Sequence, residues 1–261
     1  MGGRLRLLQA GDLRLNEPLA GVAGLSVPLQ ERLADAPYVA AQALFDAAIR
    51  ERVEVVILLG ELIGSHQTGS RAPWFLQQQF ARLATNGIAV VVRGDELPTP
   101  PQGLVWPRNV HVVSPAMPTS FLVRSGSAVR VLDGRGALVR ADVAEHQLIL
   151  SDAPPTQQLL DEFARSFWVS RSAATGVRHS AGGVRSHGVG TLQPRRESVR
   201  EATGGWVIDL LAGVAEAVEH VDCAPVRWAA LSLELSAGST REGVAQEIRT
   251  RLDQLQRVAH E

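Results

Sequence analysis

The chain has 261 residues, of which 45% are hydrophobic and 20% charged, as is usual for a globular protein with a substantial core. The formal net charge of −1 gives no global basic field that would attract nucleic acid or a membrane surface. Cys223 is the single cysteine, which excludes an intramolecular disulfide and a cluster of thiolate metal ligands.

The first hundred residues alternate predicted strands and helices. Each predicted strand ends in glycine followed by an acid, which is Asp12, Glu61, or Asp95 with Glu96. Right-handed crossovers would make the sheet mostly parallel and place these acids on one edge, where ligands bind in open α/β sheets. The elements follow from apolar runs and helical spacing: strands at 5–9, 53–59 and 88–93, and helices at 29–52 and 74–85.

The rest of the chain reads as a continuation of an α/β domain. The stretch 170–190 is rich in Ser, Gly and Arg and is predicted to be a long loop. The other predicted elements are strands at 110–113, 148–150, 167–170, 206–211, 215–221 and 227–235, a hairpin at 128–143 about the turn 133–136, and helices at 156–166 and 240–259. The last helix is amphipathic, with an apolar stripe of Val244, Ile248, Leu252, Leu255 and Val258.

The N-terminal residues and the apolar runs indicate where in the cell the protein is located. Residues 1–12 are too short and too interrupted for a signal peptide. The longest apolar run, 53–60, contains Glu54 and is far shorter than a membrane span. We therefore expect a cytoplasmic protein that does not enter a membrane.

Several segments together resemble the SbcD-type DNA repair exonucleases of the calcineurin-like metallophosphoesterase superfamily. Those nucleases have Asp-x-His after the first strand, Gly-Asp after the second and Gly-Asn-His after the third. The matching segments, in the same order, are LQAGDLRLNEPL (8–19), EVVILLGELIG (54–64), IAVVVRGDEL (88–97), WPRNVHVVS (106–114), the stretch 188–209 and the pair Arg227-Trp228.

The resemblance implies a fold and a domain organisation. The expected fold class is an α/β/α sandwich with two central mixed sheets and a truncated capping region. The expected domains are a metallophosphoesterase-like domain at 1–235 and an amphipathic helix at 236–261, a remnant of the capping region.

The resemblance also implies a two-metal site, usually of manganese, that is degenerate in this chain. Asp12 matches the first aspartate of the family, but Arg14 replaces the histidine two residues later. Glu61 replaces the metal-bridging aspartate, Asp95 replaces the asparagine ligand, and Glu96 replaces the catalytic histidine.

Three further family histidines are also missing, at Ser151, Ser172 and Ala174. The predicted site therefore lacks the imidazole ligands that two-metal hydrolysis needs.

Three interpretations of the remaining acidic residues stay open. In the first, they form a structural salt-bridge network around Arg14. In the second, Asp12, Glu61 and Asp95 hold one magnesium, manganese or calcium ion through oxygen ligands. In the third, Arg14 binds a phosphate or another anion.

Other residues offer weaker signals. His66, His179 and His187 are candidates to approach the same edge of the sheet. Arginines of the second half are interpreted either as a solvated, arginine-rich loop or as a groove for a nucleic-acid backbone. They are Arg165, Arg171, Arg178, Arg185, Arg195, Arg196 and Arg200. Trp168, Trp206 and Trp228 are predicted to be core residues.

The sequence is consistent with three functions. The first is a catalytically inactive binding or scaffold subunit, beside an SbcC-like ATPase or in a homodimer, with no cofactor. The second is an active phosphoesterase or nuclease that uses Mn²⁺ or Mg²⁺ in a carboxylate-only site. The third is an anion-binding structural module.

Overall fold

A computed structural model of the chain describes residues 3–19, 24–64, 69–100, 102–140, 146–171, 178–180, 183–196, 203–235 and 238–260. The elements of the first half are β1 (Arg4–Gly11), α1 (Val27–Arg50), β2 (Val55–Leu59), α2 (Arg71–Thr85), β3 (Ala89–Arg93), β4 (Val110–Val113), β5 (Thr119–Leu122) and β6 (Ala128–Asp133). Those of the second half are β7 (His146–Ser151), α3 (Gln157–Glu162), β8 (Ser166–Ser170), β9 (Arg178–Ser180), β10 (Gly183–Gly188), β11 (Gly205–Leu211), β12 (Val214–Val221) and α4 (Arg241–His260).

Local sequence signals explain where several elements begin and end. Every residue of β2 and β3 is buried, which accounts for the apolar sequence of β2 and of β3 up to its last residue, Arg93. α2 is followed by Gly87, whose φ of +68° suits a residue without a Cβ. α3 begins after Thr156, whose hydroxyl oxygen accepts a hydrogen bond from the backbone N–H of Leu159 at 3.3 Å.

The strands form one hydrogen-bonded path in the order β4-β3-β2-β1-β11-β12-β10-β8-β7-β6-β5, with β9 paired to β10. β1 to β4 run parallel to one another, as do β6, β7, β8 and β10, whereas the pairs that involve β5, β11 and β12 are antiparallel. The predicted mixed α/β fold is confirmed. Two central mixed sheets were predicted, whereas β11, β12 and β10 join the two parallel halves into one hydrogen-bonded path. The sandwich arrangement stays a prediction.

The two parallel halves share a hydrophobic cluster. Leu7, Ile57 and Val91 from β1 to β3 belong to the same cluster of buried residues as Leu148 and Val169 from β7 and β8. The opposite face of β1 to β3 packs against α1 and α2, and the opposite face of β6 to β8 packs against α3. The inner cluster therefore brings the two halves of the sheet together.

Three predicted elements differ from the structure. β6 forms its hairpin with β5 and runs parallel to β7, so the turn after Asp133 does not close the predicted hairpin. The predicted loop at 170–190 contains β9 and β10, which join the sheet. Residues 227–235 were predicted to be a strand, but they have no regular secondary structure.

The C-terminal helix α4 agrees with its prediction to within one residue at each end. Whether 1–235 and 236–261 are separate units stays a prediction. Among the described helices, none is long and apolar enough to cross a membrane.

Candidate functional site

The ends of six parallel strands converge at one edge of the molecule. Asp12 follows β1 and contacts Arg171, which follows β8 in the other half of the sheet, with 3.3 Å between Oδ1 and Nη2. Arg93, the last residue of β3, pairs with Asp152, which follows β7. We call this region the carboxyl-edge site; it comprises Asp12, Arg14, Glu61, Arg93, Asp95, Glu96, Asp133, Arg135, Asp152 and Arg171.

Asp12, Arg14 and Glu61 form the first part of the site. Asp12 and Arg14 both have positive φ, of 44° and 42°, so the chain turns sharply after β1. The Asp12 Oδ1 atom accepts a hydrogen bond from the backbone N–H of Glu61 at 3.0 Å. Arg14 Nε lies 3.4 Å from Glu61 Oε2 and 3.9 Å from Asp12 Oδ1. The guanidinium group is thus an internal counter-ion to both carboxylates.

Arg195 stabilises the turn that carries these residues. Its guanidinium group donates hydrogen bonds to the backbone carbonyls of Arg14 at 2.8 Å and Leu13 at 3.2 Å, and also to that of Glu17. Arg14 also lies 3.4 Å from the Glu17 carboxylate. The positions of Asp12 and Arg14 therefore depend on a residue far along the chain, which no local pattern links to them.

Asp95, Arg135 and Asp133 form the second part. Arg135 binds Asp95 through two hydrogen bonds of 2.6 and 3.0 Å, and it binds the buried Asp133 at 2.6 Å. The hydrogen bonds from Arg135 hold the pKa of Asp95 below its usual value. Burial alone would raise the pKa of Asp133, but hydrogen bonds from the Arg135 side chain and backbone outweigh burial and lower it. Both carboxylates are therefore charged and already paired.

Glu96 occupies a different environment beside Arg93. The Arg93 side chain is only 1% exposed and lies 3.7 Å from Glu96 and 3.8 Å from Asp133. Burial raises the pKa of Glu96 to about 7, although the backbone of Gly60 and the charge of Arg93 oppose the shift. Glu96 Oε2 is buried and has no hydrogen-bond partner among the described residues. At Glu96, burial therefore outweighs the charge of the neighbouring arginines.

The arrangement does not fit a pair of divalent metal ions. Two-metal hydrolysis needs a bridging carboxylate and flanking ligands free to face the ions. Here Asp12 and Glu61 face Arg14, while Asp95 faces Arg135. Within the described part of the chain, no group of three or more His, Cys, Asp or Glu side chains is placed to hold an ion.

The structure brings the predicted site residues to one edge but not into one cluster. Arg14 pairs with Asp12 and Glu61, whereas Asp95 pairs with Arg135 and Glu96 lies beside Arg93. The predicted network centred on Arg14 is therefore divided into separate groups of ion pairs.

Some predicted positions can be located and others cannot. Ser151 ends β7, and its hydroxyl donates to the carbonyl of Ala153 at 2.8 Å. Ser172, Ala174 and His66 lie outside the described residues, as does the side chain of His179.

The sequence predicted that His187 lies in a loop, but in the structure it is part of a strand. It lies in β10, is 1% exposed, and its Nδ1 atom is 2.6 Å from Nε2 of Gln9. Trp168 is buried as predicted. Trp206 lies between His187 and His220, with ring centroids 4.8 Å from each. Trp228 is partly buried against a small hydrophobic cluster.

The arginines of the second half do not share one role in the structure. Arg171 pairs with Asp12, Arg195 binds backbone carbonyls, and Arg185 donates to the carbonyl of Leu160 at 3.3 Å. Arg200 and the side chain of Arg178 lie outside the described residues. A nucleic-acid groove stays a prediction.

Sequence reasoning missed half of the site. Arg93, Asp133, Arg135, Asp152 and Arg171 were not assigned to it. Each lies at or just after the end of a parallel strand, as Asp12 and Glu61 do. Asp133, Arg135, Asp152 and Arg171 follow strands of the second half, which were not predicted to be parallel to one another. Arg93 ends β3 and was not assigned because the rule applied to the first three strands considered only acids that follow a glycine.

Comparison with known proteins gives a substantial sequence match. No family model matches the chain. Over 117 residues the chain is 34% identical to "Uncharacterized metallophosphoesterase YhaO" of Bacillus subtilis (strain 168), a match that covers 44% of this chain and 29% of the relative. The similarity agrees with the metallophosphoesterase resemblance predicted from the sequence. The SbcD-type assignment stays a prediction.

A solved structure also resembles this fold in part. The crystal structure of TT1561 of Thermus thermophilus matches with a TM-score of 0.46 and 13% identity, over 84% of this chain and 99% of that chain. A likeness of this degree carries no inference about function.

Proposed function

We propose that this chain is an SbcD-like member of the calcineurin-like metallophosphoesterases whose hydrolytic centre is lost, and that it acts as a binding or scaffold subunit. The observation behind the proposal is that Asp12, Glu61 and Asp95 are all paired with arginine side chains. The similarity to YhaO supports the metallophosphoesterase part of the proposal. The proposed fold is an α/β/α sandwich with a truncated capping region.

The charge of Arg14 is the main physical reason for proposing an inactive site. A dication about 4 Å from a guanidinium group is repelled by about 8 kcal/mol at an effective dielectric constant near 20, and by less where water screens it. A metal ion at Asp12 and Glu61 would therefore have to displace Arg14. No imidazole in the described residues joins these carboxylates to offset that cost.

The proposed partner is an SbcC-like ATPase, and the proposed location is the cytoplasm. In this role the chain contributes a binding surface and the ATPase contributes the chemistry. Contact with a nucleic-acid backbone through arginines of the second half is part of the same proposal.

A carboxylate-only metal site is a second candidate, favoured by one observation. Glu96 Oε2 is buried without a hydrogen-bond partner among the described residues, close to the paired carboxylates. A single hard cation that takes oxygen ligands would satisfy it. This candidate predicts an active phosphoesterase dependent on Mn²⁺ or Mg²⁺.

Calorimetry with Mn²⁺ on chelator-stripped protein separates the two candidates. We expect wild type to show no site of micromolar affinity and no hydrolysis of linear DNA or of a generic phosphodiester. Arg14→Ala should bind Mn²⁺ more tightly than wild type, because Asp12 and Glu61 lose their counter-ion. Arg124→Ala is the matched control, since Arg124 donates to the carbonyls of Asn86 and Arg52, away from this site.

One result would contradict the inactive-subunit proposal. It is binding of two Mn²⁺ ions to wild type at micromolar affinity, with turnover that Asp12→Ala and Glu61→Ala both abolish. Binding of a single ion, with turnover that Asp12→Ala, Glu61→Ala, Asp95→Ala and Glu96→Gln each abolish, would favour the carboxylate-only site.

A further inference from the structure

Three carboxylates of the carboxyl-edge site face outward. The side chain of Asp95 is 56% exposed, that of Asp152 54% and that of Glu61 42%. We call these three residues the acidic rim. Each pairs with an arginine of the site whose side chain is less exposed, at 32%, 1% and 30% respectively, whereas in the pair Asp12–Arg171 the arginine is the more exposed partner. The rim therefore presents carboxylate oxygens to the surroundings.

Contacts beneath the rim hold its three members around one centre. Glu96 directly follows Asp95 and lies against the backbone of the glycine that precedes Glu61. Arg93 lies 3.7 Å from Glu96 and pairs with Asp152. The three rim carboxylates thus surround Glu96 and belong to one surface.

The site keeps a surplus of negative charge after its own arginines are counted. Its six carboxylates accompany four guanidinium groups. The adjoining Glu17 and Arg195 add one charge of each sign. Carboxylates outnumber arginines by two, and by one when Glu96 is protonated. A surface with such a surplus at its exposed rim attracts cations.

Glu96 supplies a second, independent observation that points to a ligand. Its side chain is only 8% exposed, and Oε2 is buried without a hydrogen-bond partner among the described residues. Buried acceptor atoms in folded proteins are nearly always hydrogen-bonded. A donor that a ligand brings to the centre of the rim would satisfy this oxygen.

The groups that already neutralise these carboxylates indicate which cation fits. Arg135 binds Asp95 through two hydrogen bonds and also binds Asp133, so one guanidinium group bridges two carboxylates. A guanidinium group is planar, carries five donors in a fixed fork and is weakly hydrated. Within the described part of the chain, no three acidic or imidazole side chains are close enough to share a metal ion. The spacing of the rim therefore suits guanidinium groups better than a metal ion.

We propose that the acidic rim binds arginine side chains of a partner protein, presented by a short arginine-rich segment. A segment fits better than a free small cation, because the rim carboxylates follow three different strands, β2, β3 and β7, and more than one guanidinium group is needed to reach them. The inference rests on the proposed function, since the carboxylates receive arginine only while they hold no metal ion. It adds the chemistry of the partner surface to that function.

Fluorescence anisotropy with a labelled hexa-arginine peptide tests the proposal on the full chain. We expect a micromolar Kd in about 50 mM salt with EDTA present, and binding weaker by about threefold or more in about 200 mM salt, because salt screens exposed charges. Hexa-lysine should bind about fivefold more weakly, because an ammonium group lacks the planar fork. Hexa-glutamate should not bind.

Two rim variants test where the peptide binds. Glu61→Gln and Asp95→Asn should each weaken hexa-arginine binding by about tenfold, because each removes one charged acceptor. Asp46→Asn is the matched control and should bind like wild type. Asp46 is 48% exposed and pairs with Arg82 at 2.6 Å, as Asp95 pairs with Arg135 at 2.6 Å, but it lies on α1. Melting temperatures check that all three variants are folded.

Glu96→Leu tests the buried acceptor at the centre of the rim. The variant should weaken hexa-arginine binding at pH 8, because a donor from the peptide loses its partner. Binding as tight as in wild type would show that the peptide does not reach Glu96, and it would contradict the proposed position of the ligand.

Three results would overturn the proposal as a whole. The first is the absence of hexa-arginine binding at about 100 µM protein. The second is binding that Glu61→Gln and Asp95→Asn leave unchanged, or that Asp46→Asn weakens as much as they do. The third is competition by spermidine at the same concentration as unlabelled hexa-arginine, which would make a free polyamine the ligand instead of a protein segment.

The same titration with Mn²⁺ in place of EDTA separates this inference from the proposed function. Peptide binding that Mn²⁺ does not displace supports both. If neither the peptide nor Mn²⁺ binds, the rim does not recognise arginine, while the loss of the hydrolytic centre still holds. If Mn²⁺ displaces the peptide and supports hydrolysis, the proposed function is wrong, and this inference falls with it.

Discussion

Arginine side chains partly balance the carboxylates of the carboxyl-edge site. The six carboxylates are Asp12, Glu61, Asp95, Glu96, Asp133 and Asp152. Four guanidinium groups accompany them, those of Arg14, Arg93, Arg135 and Arg171. Burial favours the protonated form of one of them, because it removes the carboxyl group from water. Glu96, beside the nearly inaccessible Arg93, is that carboxylate.

Glu96 gives the first prediction at the residue scale. Its pKa is about 7 in the folded protein and 4.5 as the ordinary value. The folded state therefore holds a proton that the unfolded state loses, and the free energy of unfolding should fall as pH rises from about 4.5 to about 7. The loss is at most about 3 kcal/mol, at 1.36 kcal/mol per pKa unit.

Urea unfolding at pH 5 and pH 8 measures this effect. Glu96→Gln should lose less stability than wild type between the two pH values, because glutamine stays neutral at both. The exposed Glu234→Gln is the control and should follow wild type. An equal loss in Glu96→Gln and wild type would show that Glu96 is ionised throughout.

His187 gives a prediction of opposite sign. Burial lowers the pKa of His187 to about 4 from its ordinary 6.5. Below pH 6.5 the unfolded chain takes up a proton that the folded chain cannot, so the free energy of unfolding should fall as pH decreases from about 6.5 to about 4. The loss is again at most about 3 kcal/mol.

The same unfolding experiment between pH 4 and pH 7 checks His187. His187→Gln should be less stable than wild type at pH 7, because the packing against Gln9 and Trp206 is disturbed, but should lose less stability in acid. His220→Gln, at an exposed position on β12, should keep the acid dependence of wild type. An unchanged acid dependence in His187→Gln would assign the effect to other groups.

At the scale of elements, the end of β2 is constrained by a single glycine. Gly60 has a φ of +100°, and a Cβ at this position would lie 2.5 Å from Asp12 Oδ1 and 3.2 Å from Arg171 Nε. A side chain would thus push apart the ion pair that links the two halves of the sheet. The glycine after a strand is a sequence signal, but its contact with Arg171 is not.

Gly60→Ala should therefore destabilise the protein by more than the strain of an alanine at positive φ. Strain at positive φ is about 1–3 kcal/mol, and the displaced Asp12 carboxylate adds to it. Gly103→Ala is the matched control, since its φ is +85° and nothing lies within 4 Å of the added Cβ. Equal destabilisation of the two variants in urea would show that Asp12 moves aside without cost.

Elements with a strong local pattern were predicted more accurately than those without. β4 was predicted to the residue, and α1, α2 and α4 to within three residues at each end, because apolar spacing and turn residues mark them. β9 and β10 were missed, since polar side chains and glycines dominate their sequence. β10 is a strand because β8 and β12 offer it hydrogen-bonding partners, and β9 in turn pairs with β10.

For the molecule as a whole, the two pH effects oppose each other. Between pH 4.5 and 6.5 Glu96 destabilises the fold as pH rises, while His187 stabilises it. Their contributions largely cancel in wild type. In Glu96→Gln the free energy of unfolding should change with pH as His187 dictates, and in His187→Gln as Glu96 dictates. In the double variant the free energy of unfolding should be as insensitive to pH as in wild type over that range.

The sequence by itself determined the first half of the sheet and which acids stand on its edge. Strand order there follows from alternating elements and right-handed crossovers, which are local in cause. The sequence also indicated the metallophosphoesterase resemblance and the missing imidazoles at Arg14, Glu96 and Ser151.

Only the tertiary structure decided which arginine neutralises which carboxylate. Asp12 meets Arg171 across 159 positions, and Asp95 meets Arg135 across 40 positions, on a different strand. No local pattern encodes these pairs, since they exist only because an inner hydrophobic cluster holds the two halves of the sheet together. The strand ends therefore converge, and Asp12, Asp95 and Asp133 are paired with guanidinium groups that packing brings to them.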